Sequence, residues 1–206
     1  MNTKIHHAAK IIMLFSGLSI AQQTLAYTPH QTRHLKQTPT AITNQHYTPA
    51  INVSAWQLSG VMAARNRNKS WSASVNWIQQ GPNNYQIRLF GPLGGGTVIV
   101  EKTHGRVAFI DGNRRSYSNS ADKLLEQHTG VRLPVSNLYY WVRALPAPGA
   151  AHTQYDKNHL LSSLSQSGYN IHYSNYMMVN NKILPGKIHL QGHGVSVKFA
   201  IKRWRI

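Results

Sequence analysis

Cysteine is absent from this 206-residue chain, and only five of its residues are acidic. Without thiols there is no disulfide framework, thiolate zinc site, iron–sulfur cluster or Cys nucleophile. The acids are Glu101, Asp111, Asp122, Glu126 and Asp156. Paired-carboxylate hydrolysis, two-metal phosphoryl transfer and calcium loops all need acids in clusters. Here only Asp122 and Glu126 stand close, at a spacing that places both on one face of a helix. The Gly-x-Ser-x-Gly nucleophile elbow and the His-Glu-x-x-His zinc motif are missing as well. No uncharged apolar run approaches the ~20 residues of a membrane-spanning helix. The expectation is a protein that is not an enzyme, with no catalytic residue, no cofactor and no metal.

What the chain has in quantity is positive charge. Lys and Arg number 22, for a formal charge of +17, while 41% of the residues are hydrophobic and can bury a core. The length allows one domain or two small ones. Basic clusters at 65–69, 114–115 and 202–205 are those to weigh for nucleic acid. They are scattered through a strand pattern, where solvated strand edges account for most of them.

The N-terminus has the form of an export signal. Lys4, His6, His7 and Lys10 precede an uncharged apolar stretch over 11–21, and Thr24-Leu25-Ala26 supplies small residues for cleavage. Residues 1–26 are therefore expected to be a signal peptide, and the mature chain is expected outside the cytoplasm. Residues 27–49, rich in Thr, Gln, His and Pro, read as an extended tether, leaving 50–206 as the domain. His30 and His34, like His189 and His193, are four apart with no third ligand near, so both pairs read as solvated histidines.

The domain is dominated by period-two alternation, with Trp71, Ala73, Val75 and Trp77 apolar and the intervening residues polar. The pattern continues through Tyr85, Ile87 and Leu89, then over 97–100, 106–110, 115–118, 169–174 and 195–202. Short turn signals such as Asp111-Gly112 between these runs predict an antiparallel meander. Two helices interrupt it. One covers 121–128, with Ser120 as cap and Gly130 just past the end. The other runs over about 134–144, with Leu138, Tyr139, Val142 and Leu145 as its apolar face. A curved sheet plugged by these helices is the expected architecture.

Between Phe90 and Thr97 lies a loop of Gly and Pro in which Leu93 is the only large side chain. A strand follows it instead of a helix, so it does not cradle phosphate. Either Leu93 folds back onto the core or it projects toward something apolar.

Trp56, Gly60, Trp77, Tyr85, Arg88-Leu89, Gly91-Pro92-Leu93-Gly94, Asp111-Gly112, Thr129-Gly130, Leu133-Pro134, Leu138, Trp141, Leu145-Pro146, Gly168, Leu184-Pro185 and Trp204 follow one another at intervals that resemble the LolB family, from about residue 53 to 206. LolB proteins are the outer-membrane receptors for lipoproteins in Gram-negative bacteria. The resemblance implies a mainly β fold, an incomplete antiparallel β-barrel covered by short α-helices, with an apolar cavity for acyl chains. It implies LolA carrying lipoproteins as the partner and insertion into the outer membrane as the outcome. Through it, Pro92, Leu93 and Gly94 become the membrane-insertion loop. Trp71, Val75, Trp77, Tyr85, Ile87 and Leu89 are candidates for the cavity or the core. The sequence departs from the family in two places. There is no Cys to carry an acyl anchor, and Ala144 stands where the family usually has Gly. A monomer is expected on the periplasmic side of the outer membrane, peripheral or soluble, with no nucleic acid bound. The alternative is a basic exported module for nucleic acid or another anionic partner.

Overall fold

The computed structural model describes residues 48–91 and 96–206, so the expected signal peptide, His30 and His34 lie outside the described residues. The alternating runs become strands. They are β2 (Ala55–Arg65), β3 (Ser70–Gln80), β4 (Asn84–Phe90), β5 (Thr97–Thr103), β6 (Arg106–Asp111) and β7 (Arg114–Ser118) in the first half. The second half adds β8 (His152–Tyr155), β9 (Leu161–Gln166), β10 (Tyr169–Ser174), β13 (Lys187–Gly192) and β14 (Val195–Arg205). These eleven form one sheet in the order β7-β6-β5-β4-β3-β2-β14-β13-β10-β9-β8. Every neighbouring pair is antiparallel. The sheet is open, with β7 and β8 as its edges, in agreement with the expected incomplete barrel. A second sheet of three short strands orders as β1 (Thr48–Pro49), β12 (Lys182–Leu184) and β11 (Met177–Val179). Thr48 and Pro49, at the end of the expected tether, thus pair with β12.

One face of the large sheet is buried because the pleat sends alternate residues to it. Val75 lies opposite Gly60 and Leu89, Trp77 opposite Leu58 and Ile87, and Ile87 opposite Val100. Gly60 is a place where only hydrogen fits. A Cβ there would lie 2.2 Å from the Ala200 carbonyl oxygen, beside the bulge that shifts the β2–β14 register between Ile201 and Arg203. The bulge bends the two most central strands together.

Helix α1 (Ala121–Thr129) starts and stops as its sequence dictates. The Ser120 hydroxyl accepts from the Lys123 amide, and Gly130 closes the helix in the left-handed conformation. Helix α2 (Val135–Trp141) is shorter than the apolar spacing predicts. Its ladder ends because Ala144 takes φ +58°, so Leu145 leaves the helical face and is only half-buried. Pro134 offers no side-chain cap to α2. Asp122 of α1 supplies one instead, accepting the Val135 amide at 2.9 Å.

Three polar residues are buried, and each is hydrogen-bonded. Gln166 accepts from Trp141 Nε1 at 2.8 Å and exchanges two bonds with the backbone of Ala147. Gln79 accepts from Trp77 Nε1 at 2.8 Å. Arg143, buried, has no carboxylate partner among the described residues. Its guanidinium donates to the carbonyls of Tyr139, Ala50 and Val53, and lies 4.2 Å over the Tyr139 ring. Burial lowers its pKa, and the nearby tyrosines act against that.

Candidate functional site

Helices α1 and α2 lie over the buried face of β14-β2-β3-β4-β5, and between the two layers is an apolar pocket. Its sheet side is Met62, Trp71, Val75, Trp77, Ile87, Leu89, Val100 and Phe199. Its helical side is Leu125, Thr129, Val131, Leu133, Val135 and Leu138. Thr129 is the one polar residue among them, and its hydroxyl is engaged by the Leu125 carbonyl at 2.6 Å and the Val131 amide at 3.2 Å. Nothing in the lining carries charge, a nucleophile or a metal-ligating atom set. The volume is about 30 Å³, room for one water-sized group. Such a site can hold hydrocarbon and little else, and it holds an extended chain only when the helical cover moves off the sheet.

Trp71, Val75, Trp77, Ile87 and Leu89 therefore meet in one place, contributed by two adjacent strands in register. Tyr85 does not line the pocket. It packs edge-on to Trp77 at 6.5 Å, next to the cluster in which Trp56 lies 5.1 Å from Trp77 and 5.5 Å from Trp204. Burial, with a smaller contribution from Asp122, pushes its hydroxyl pKa up well beyond the ordinary range. Met62, Val100 and Phe199 went unassigned to the cavity at the sequence level, although the alternation of β14 already placed Phe199 on the inner face. The helical half of the lining went unassigned too. The signal for it was the apolar Val131, Leu133 and Val135, alternating across the link between helices.

The cover is fastened at several points. Asp122 holds the start of α2. Tyr169 donates to the Arg132 carbonyl at 3.0 Å, and His128 stacks on Phe109 at 4.1 Å. Burial is the main influence on Asp122 and raises its pKa, against the Val135 amide and Arg132. Among the described residues no group of three His, Asp or Glu side chains could hold a metal ion. His189 on β13 has a ring nitrogen 3.0 Å from Ser196 Oγ, and His193, exposed in the β13–β14 turn, has one 3.1 Å from the Ser167 carbonyl. His193 is thus solvated, as the sequence predicts, whereas His189 is half-buried.

The loop candidates Pro92, Leu93 and Gly94 lie outside the described residues. The base of that loop is described: the Gly91 amide donates to the Gly96 carbonyl at 3.0 Å, and Phe90 just before it is 40% exposed.

The family whose sequence model is described as "Outer membrane lipoprotein LolB" matches residues 54–204. An outer-membrane lipoprotein LolB of Coxiella burnetii is 32% identical over 196 residues, covering 95% of this chain and 92% of its own length. A LolB of Pseudomonas fluorescens is 37% identical over 161 residues, covering 77% and 78%. Among solved structures, a LolA superfamily protein from Nitrosomonas europaea aligns with a TM-score of 0.49 at 9% identity, over 74% of this chain and 86% of that one. The family match spans the sheet, both helices and the whole pocket lining, and on it this chain belongs to the LolB family.

Proposed function

We propose that this chain accepts lipoproteins from the periplasmic carrier LolA and delivers them to the outer membrane, holding their acyl chains between the sheet and α1–α2. The observation that carries this reading is a pocket lined by apolar side chains between the sheet and a helical cover, in a chain of the LolB family. Acyl chains crossing water cost ~0.8 kcal/mol for each exposed methylene, so a carrier must enclose them. In the closed form the pocket walls touch each other instead. The chain thereby protects its own apolar surface until a lipid takes its place. No bond is made or broken, and transfer needs only a higher affinity in this pocket than in the donor's, tenfold for each 1.4 kcal/mol.

Pro92, Leu93 and Gly94 are assigned here to the contact with the membrane. A single Leu inserted into lipid contributes only ~1.5–3 kcal/mol, enough to disturb a bilayer locally without anchoring the protein. With no cysteine in the sequence to acylate, we assign the mature protein a reversible, peripheral residence on the inner face of the outer membrane, as a monomer.

Binding of a fluorescent fatty acid tests the pocket. The purified chain should take up the probe, and Leu89→Trp, which fills the pocket from β4, should weaken uptake while the fold persists by circular dichroism. Unchanged uptake in the folded variant would place the acyl chain elsewhere.

A further inference from the structure

The strand registers put several turns at one end of the large sheet. Residues 66–69 join β2 to β3, 91–96 join β4 to β5, and 193–194 join β13 to β14. At this end is an open concavity of about 470 Å³ to which Arg65, Ser70, Trp71, Ser72, Ser196 and Lys198 contribute. Arg65 stands opposite both Ser70 and Ser196, and Lys198 is two residues further along β14. Directly opposed and diagonal side chains on a sheet lie within reach of one small ligand. Both cations are exposed, and no acidic residue is in the lining. The one ion pair among the described residues is Arg114–Asp111, on β6 and β7, so Arg65 and Lys198 have no carboxylate partner there. The cationic field also reaches His189. It stands cross-strand from His172 and Lys198, and its pKa is lowered by burial first and by those two neighbours next.

Two further features define the occupant. Phe90 and Val61, 40% and 37% exposed, share the outer face with the cations in the row next to that of Lys198, each opposite Ser74. Exposed cations without a carboxylate partner, beside exposed apolar side chains, suit an amphiphile with an anionic headgroup. Trp71 lines this concavity and the apolar pocket alike. The two sites therefore share a wall, at the end of the sheet that bears the 91–96 loop.

We propose that this concavity binds the phosphate of an anionic phospholipid headgroup and so docks this end of the sheet on the bilayer. Arg65 and Lys198 hold the phosphate, and the hydroxyls of Ser70, Ser72 and Ser196 donate to it. The inference rests on the acyl-carrier reading above. It adds that the membrane is met with the shared wall of the pocket facing the lipid.

Flotation of the full chain with phosphatidylcholine vesicles, with and without phosphatidylglycerol, is the test. The chain should float with phosphatidylglycerol vesicles and stay behind with phosphatidylcholine alone. Arg65→Gln/Lys198→Gln should lower the apparent affinity about thirtyfold, from ~1 kcal/mol per cation. Arg65→Lys/Lys198→Arg should restore most of it. Lys202→Gln/Arg205→Gln removes the same charge ~20 Å along β14, beyond the ~8 Å Debye length, and should leave binding unchanged. Equal weakening by the two Gln pairs would show diffuse attraction and overturn the site. So would equal flotation with both vesicle types, or tighter binding to a single-stranded oligonucleotide than to vesicles. Fatty-acid uptake measured in parallel separates the two readings. Wild type that floats but takes up no fatty acid contradicts the carrier, whereas wild type that takes it up without floating contradicts the docking site alone.

Discussion

Ala144 occupies a backbone conformation that suits another residue. Its φ of +58° is left-handed, a region that costs an ordinary residue about 1–2 kcal/mol and glycine almost nothing. Glycine would suit this position, because the chain must leave α2 abruptly to bring Ala147 to Gln166. Ala144→Gly should therefore stabilise the protein by about 0.5–1 kcal/mol, after the greater freedom of glycine in the unfolded chain is subtracted. A thermal melt should rise by about 2–4 °C per kcal/mol, and a fall would contradict the assigned strain. Asp122 offers a second case. Its carboxylate accepts the Val135 amide, yet burial raises its pKa, so the charged form carries a folded-state cost at neutral pH. That cost vanishes as pH falls through the raised pKa. Asp122→Asn keeps the acceptor without the charge. In denaturant unfolding it should match or exceed the wild type at neutral pH, with the difference closing on acidification. Asp122→Ala leaves the amide unpaired and should lose about 1–2 kcal/mol.

Among the elements, the β2–β14 pair leaves no room for a side chain at Gly60. Gly60→Ala would drive a methyl group into the backbone of Ala200 and Ile201, which cannot yield without moving the bulge. A loss of roughly 1–3 kcal/mol is expected in the same unfolding measurement, and a neutral result would mean the register is free to shift. Leu93→Glu should leave uptake of lipoprotein intact and slow its release into vesicles, whereas equal damage to both steps would indicate a Leu packed in the core. The strands were legible in the sequence wherever a sheet face alternates cleanly, as in 71–77, 85–89 and 195–202. The small sheet was not, because Met177–Val179 and Lys182–Leu184 are too short to show a period. The end of α2 was misplaced because Leu145 keeps helical spacing in the sequence, while the left-handed Ala144 breaks the helix. Five pocket residues were legible because one buried strand face supplies them in order. The helical side became visible only when the cover was folded onto the sheet.

At the scale of the whole molecule, an open sheet, a helical cover and a basic, partly apolar end of the sheet work in sequence. The pocket between cover and sheet holds about 30 Å³; in the function proposed above, an incoming acyl chain replaces the contacts between cover and sheet, and the end bearing the loop meets the membrane. The most direct test is a two-step transfer without nucleotide. LolA loaded with a lipoprotein is mixed with this chain, and outer-membrane phospholipid vesicles are then added. Lipoprotein should pass from LolA to this chain and then appear in the vesicles, and Leu89→Trp should block the first step. Lipoprotein that stays on LolA in the presence of the folded wild-type chain would contradict the account.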